Sequence, residues 1–206
     1  IEILKGASPA KMLNYKGEIH KIWGYQPKWH TDRPPLVYFG SNHPQSRRMA
    51  VKHADGLITS DFVVPLMQDF IAAAHAELRA AGRDPAGFRF SNFWAWHIKA
   101  DREKSMYEAR RELVFRGELL PPKYDMLPYV TPDERQLVID KWQNFAKAFW
   151  TRTGKIDDVP ESIVNRLIAA CSSAGDLGDI DLQIERFRVF EKAGLTELSI
   201  RLFDEP

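Results

Sequence analysis

Short apolar runs alternate with longer amphipathic segments along most of this chain, and that alternation restricts the folds open to it more than any single motif does. Leu36–Phe39, the run "GLITS" from Gly56, Phe88–Trp96 and Glu197–Phe203 are rich in β-branched and aromatic residues and are bounded by Gly, Pro or Asp. Helical periodicity separates them. It covers Gln45–Ala54, then a segment with Leu66, Phe70, Ile71, Ala74 and Leu78 on one face and Gly82 as its stop. It returns from Asp101, a good N-cap, to Gly117, and through a block from Thr131 to Gly175 that opens with a cap, a proline and two acids. A last helix carries Ile184, Phe187 and Phe190 on one stripe, and Trp142, Phe145, Phe149 and Trp150 form another strip on a single long helix in the block. Strands alternating with helices in this way must be parallel, because each crossover returns the chain to the same end of the sheet. Four strands make an α/β fold that is either an open sheet or half of an eight-stranded barrel; periodicity does not separate the two.

Composition narrows the function classes. The 29 basic and 28 acidic residues are mixed along the chain and leave a formal charge of +1. That balance gives no electrostatic footprint for nucleic acid or an acidic membrane surface, and no apolar run reaches the ~18–20 residues that cross a bilayer. Cys171 is the only cysteine, which excludes an intrachain disulfide and a thiolate cluster and suits a reducing cytoplasm; "LIAACSSAG" reads as a helix that buries it. No pair of the six histidines has helical zinc spacing with a carboxylate beside it, so no metal is expected. With 206 residues a single domain is expected, residues 1–33 being an insertion or linker region in which "YKGEIHKIWGY" alternates around Gly17 and Gly24 as a hairpin. The opening "IEILKGASPA" lacks a signal-peptide pattern and reads like the end of a helix already under way, which leads us to expect a fragment.

Three stretches resemble one known family. "PPLVYFGSNHPQSRRMAVKHADGLITS", "AAGRDP" and "DLGDIDLQIERFRVFEKAGLTELSIRLF" are similar, in order and spacing, to segments of the bacterial luciferase-like flavin and deazaflavin oxidoreductases. The likeness points to the methylenetetrahydromethanopterin reductase branch, which uses coenzyme F420. The resemblance implies a (β/α)8 TIM barrel of which residues 34–206 supply the C-terminal half, strands five to eight, with an extra helical block before the last strand. The family's first four strands have no counterpart here.

Barrel enzymes place their chemistry at the C-terminal ends of the strands. Gly40-Ser41-Asn42-His43-Pro44 would lie there, leading into a helix whose free N–H groups and partial positive charge suit an anion. In the family the matching loop holds the phosphate of FMN or F420. Gly40, Ser41, Asn42, His43 and Ser46 are therefore the candidate cofactor contacts, against the plain alternative of a strand-to-helix turn capped by Ser41 or Asn42. Thr59 ends the next strand and is a further candidate, with helix capping as its alternative. Arg201, a guanidinium in a central strand, could meet an anionic cofactor tail or substrate, or pair with Asp204 or Glu205. His43 is a weak candidate for a catalytic acid or base; the family's catalytic groups fall mainly on the strands absent here. Trp94, Trp96 and His97 could wall a tricyclic ring, though bulky strand residues usually fill the interior.

The resemblance thus implies an F420-dependent oxidoreductase that transfers hydride between the deazaflavin C5 and a small-molecule substrate. An FMN-dependent luciferase-like monooxygenase is the alternative within the class. Outside it stands a catalytically inactive half-barrel module, which would pair with a missing N-terminal half or with itself as a homodimer.

Overall fold

The computed structural model describes residues 1–7, 10–28, 35–116 and 129–202. Pro34, His30, the "PPKYDMLP" break, the expected helix stop at Gly117, and Phe203, Asp204 and Glu205 lie outside the described residues. Strands β3 (Tyr38–Gly40), β4 (Gly56–Ser60), β5 (Arg89–Trp96) and β6 (Glu197–Leu202) form one four-stranded parallel sheet in the order β3-β4-β5-β6, as the alternation requires. Helix α2 (Pro44–His53) links β3 to β4, and α3 (Val64–Ala80) links β4 to β5. Among the described residues, five α-helices separate β5 from β6: α4 (Arg102–Glu112), α5 (Pro132–Asp140), α6 (Trp142–Trp150), α7 (Glu161–Cys171) and α8 (Ile180–Lys192). The chain divides into two compact units, Ile1–Thr59 with Asp69–Ser91, and Ser60–Gln68 with Asn92–Pro206.

In the first unit, α1 (Glu2–Gly6) precedes the expected hairpin of β1 (Leu13–Lys16) and β2 (Lys21–Tyr25), antiparallel and closed by Gly17 N donating to His20 O at 2.9 Å. Gly24 takes φ +66 within β2, where a side chain would be strained, and its N–H donates to Asn14 Oδ1. Strand β3 begins two residues later than Leu36, because the Val37 N–H is bonded to the Asp55 carboxylate at 2.8 Å and Leu36 stays exposed. Asp55 also holds Lys5 Nζ at 2.6 Å, so this carboxylate ties the chain ahead of β3 to the start of β4. Gly56 is required by close packing: a Cβ there would stand 2.7 Å from the Tyr38 ring and 2.8 Å from Arg89 O. Arg83 donates to Val51 O and Ala54 O at the end of α2 and lies over the Phe88 ring, while Asp84 caps the following turn at Ala86 N. Ala50, Val51, Leu57, Phe70, Ile71, Ala74, Leu78 and Phe90 are buried beneath these contacts.

The second unit packs Val63, Leu113, Val138, Phe145, Ile163, Val164, Leu167 and Ile168 into one apolar cluster. The long helix expected after Thr131 is two helices. Its start is as predicted, a capping box between Thr131 and Glu134 with Pro132 next, but at Lys141 the i+4 ladder gives way to an i+3 bond, Asn144 N to Lys141 O at 2.8 Å. Trp142 and Phe145 stack in α6, whereas Trp150 at its end is 79% exposed and belongs to no core. On α8 the inward stripe runs through Gln183, Phe187 and Phe190; Ile184 is exposed. Buried Trp94 donates its Nε1–H to Ser173 Oγ at 2.9 Å, which in turn donates to Gln183 Oε1 at 2.7 Å, so the polar atoms of α8 and β5 are satisfied inside the core. Arg186 lies over Trp94 and closes the end of α7 through Ser172 O and Ala169 O. Cys171 is buried in α7 as expected, with Sγ 2.9 Å from Leu167 O, and burial pushes its thiol up to about 12.

Candidate functional site

Gly40 is the last residue of β3, and nothing lies within 4 Å of where its Cβ would be. A ligand can therefore approach this backbone closely. Ser41 N still bonds to Ile58 O at 3.0 Å, so the sheet fixes the first residue of the loop. The cap of α2 is neither Ser41 nor Asn42. It is His43, whose Nδ1 accepts from Gln45 N at 3.2 Å, with Pro44 as the first helical residue. Ser41 Oγ instead accepts from His43 N at 3.1 Å and sets the bend. An imidazole that accepts at Nδ1 carries its proton on Nε2, and His43 is exposed. Asn42 and Ser46 are half-buried on either side of the cap.

The arginine nearest the loop is already engaged. Arg47 is held by Glu77 through Nε at 3.2 Å and Nη2 at 2.8 Å, and lies over the Phe70 ring. The helix N-terminus offers an anion the Gln45 N–H, in exchange for the imidazole that now accepts from it. Thr59, in the same unit, is buried, and its hydroxyl donates to Ser91 O at 3.3 Å.

The remaining candidates fall in the second unit. Trp94 and Trp96 pack against Phe190 and Phe187 of α8, so both rings go to the helix interface, the plainer of the two readings. His97 is a different matter. It is 1% exposed, its Nδ1 lies 3.4 Å from Glu108 Oε2, and Glu108 Oε1 receives Lys99 Nζ at 3.0 Å. Burial, followed by the positive charges of Arg116, Lys99, Arg201 and Arg111, depresses its pKa to about 3, so the ring is neutral at ordinary pH. Arg201 pairs with Glu112 Oε2 at 3.5 Å, and Arg111 lies 3.7 Å from the other oxygen of that carboxylate. Arg116 Nη1 donates to Asp61 Oδ2 at 2.8 Å, and Asp61 adopts φ +57 directly after β4.

Sequence reasoning had not singled out Asp61, Glu108, Arg111, Glu112 or Arg116. One signal was present: Ser105, Glu108, Glu112 and Arg116 recur at spacings of three and four and so share one stripe of a helix. That stripe is buried here, where a polar stripe is ordinarily a wet one. Among the described residues no group of three or more metal-ligating side chains converges.

The family model of the luciferase-like monooxygenases matches residues 1–197. The chain belongs to that family. Solved structures agree on the fold of this luciferase-like chain. A coenzyme F420-dependent tetrahydromethanopterin reductase from Methanopyrus kandleri superposes with a TM-score of 0.69 at 17% identity, over 97% of this chain and 53% of that one. An F420-dependent secondary alcohol dehydrogenase, in complex with an F420-acetone adduct, gives 0.61 at 18%, over 97% and 52%. A riboflavin lyase with modified FMN and riboflavin gives 0.52 at 15%, over 94% and 45%. The chain thus spans about half the length of these structures, and its four-stranded parallel sheet with helices matches about half of their TIM-barrel fold. No curated protein sequence matches the luciferase-like chain significantly. No helix among the described residues is long and apolar enough to cross a membrane.

Proposed function

We propose that this chain supplies the cofactor-phosphate side of an F420-dependent oxidoreductase. The observation that carries the reading is the end of β3: Gly40 leaves its backbone open, and the chain turns at once into the N-terminus of α2. The residues present fit a phosphate. Gly40 gives close approach, Ser41 and Ser46 offer hydroxyls, and the Gln45 N–H becomes available once the His43 ring yields it. F420, when bound, supplies a hydride donor or acceptor at its C5. Around it the chain's own part is to anchor and orient the phosphate end. His43 serves as a movable cap in this reading, and acid–base chemistry is not assigned to it.

F420 ranks before FMN because two F420-dependent enzymes superpose at 0.69 and 0.61, against 0.52 for the flavin-containing lyase. An FMN-dependent monooxygenase is the second reading, favoured by the description of the family itself. The substrate in either case is a small organic molecule.

Fluorescence titration with F420 and, separately, FMN tests this on the protein as its source makes it, alongside the 206-residue chain. Tighter binding of F420, weakened about tenfold by Ser41→Ala with Ser46→Ala while the circular dichroism is unchanged, is the expected result. Preference for FMN moves the assignment to the monooxygenase reading. Binding of neither cofactor overturns both.

A further inference from the structure

The charged side chains around His97 take no part in the phosphate loop. Asp61 follows β4, His97 and Lys99 follow β5, Arg201 is the penultimate residue of β6, and Glu108, Arg111, Glu112 and Arg116 come from α4 and the 3-10 turn that continues it. Three of these positions are C-terminal strand ends, where barrel enzymes keep their ligands. Four basic side chains and three carboxylates are thus gathered about one neutral imidazole.

Arg116 decides what such a group is for. The residue is 4% exposed and Nη1 is bonded to Asp61, but Nη2 has no hydrogen-bond partner among the described residues. A guanidinium has five N–H donors in a fixed fork, and burying one with a free donor costs stability that a bound acceptor restores. Asp61, which orients this guanidinium, keeps a left-handed backbone that an aspartate adopts only at a cost. Arg201, with 40% of its side chain exposed, gives the group a face toward solvent.

We propose that this cluster is an oxyanion-binding site, with Arg116 Nη2 as its buried donor and Arg201 at its entrance, taking a carboxylate or phosphate group of the substrate. Calling the ligand a substrate rests on the oxidoreductase reading; the binding itself does not. Arginine matches both groups, because each offers two oxygens to the planar fork. Glu108 and Glu112 hold the surrounding cations in place, and neutral His97 leaves the attraction for an anion to the arginines.

Inorganic phosphate and acetate, titrated at constant ionic strength without cofactor and followed by NMR of the His97 imidazole, provide the test. A saturable shift is expected. It should weaken about tenfold in Arg201→Gln, which spares the buried Arg116–Asp61 pair, and by less in Arg116→Lys, which keeps the charge and loses the fork. Ser41→Ala with Ser46→Ala should leave it unchanged, so phosphate received by the α2 loop is told apart. Tighter phosphate identifies a phosphorylated substrate and tighter acetate a carboxylic acid; both support the site. No saturable shift, or wild-type affinity in both Arg201→Gln and Arg116→Lys, overturns it. A protein that binds the anion here but neither F420 nor FMN keeps this inference and loses the proposed function.

Discussion

A Cβ placed on Gly56 would press 2.7 Å from the Tyr38 ring and 2.8 Å from Arg89 O, and a carbonyl oxygen held in a sheet cannot turn aside as a flexible side chain can. Gly56→Ala should therefore cost about 1–3 kcal/mol, measured as a lower urea midpoint with an unchanged m-value. Gly40→Ala makes the opposite prediction. With nothing within 4 Å of the new methyl, the fold should be unaffected while cofactor affinity falls. His97 supplies a third prediction at this scale. Its pKa drops from 6.5 to about 3 on folding, so between those values the unfolded chain binds the extra proton. Stability must then decrease as pH falls through that window and level off above it, and His97→Gln should flatten the curve in urea titrations from pH 7 to 4.

Elements differ in how openly the sequence declares them. The strands and the helices α2, α3, α4, α7 and α8 were legible because period and punctuation agreed: a cap at Asp101, a capping box at Thr131, Gly82 at φ +70 after α3. The break at Lys141 was not, since no proline or glycine marks it and the apolar strip from Trp142 to Trp150 reads as a continuation. The candidate site was legible in part. Gly40 and the helix N-terminus could be read from residue types, but the cap went to His43, because a proline at the first helical position fixes which residue precedes it. The cluster around His97 stayed hidden, as its members come from positions 61 to 201 and its one local trace, the polar stripe from Ser105 to Arg116, reads as a solvated helix face. Arg83 shows a motif with a purely structural task. Its two bonds to the last carbonyls of α2 and its stack on Phe88 predict that Arg83→Met loses about 1–3 kcal/mol, seen in thermal unfolding, with no change in cofactor affinity.

At the scale of the molecule, the sheet order leaves β3 and β6 as its outermost strands, and β6 carries Ile200 and Leu202 at 45% and 72% exposed. An outermost strand that exposes apolar side chains invites another chain. The 206-residue chain should self-associate with rising concentration in sedimentation velocity, and Ile200→Lys with Leu202→Lys should shift it toward monomer; an unaltered distribution would place the contact elsewhere. The second unit also carries a reporter of its own opening. Its single thiol lies fully enclosed in α7, bonded to a carbonyl and held protonated far above neutral pH, so an added thiol reagent finds nothing to attack while the unit stays closed. Each modification event is thus a count of openings, and the chain carries a built-in clock for how often its interior meets water.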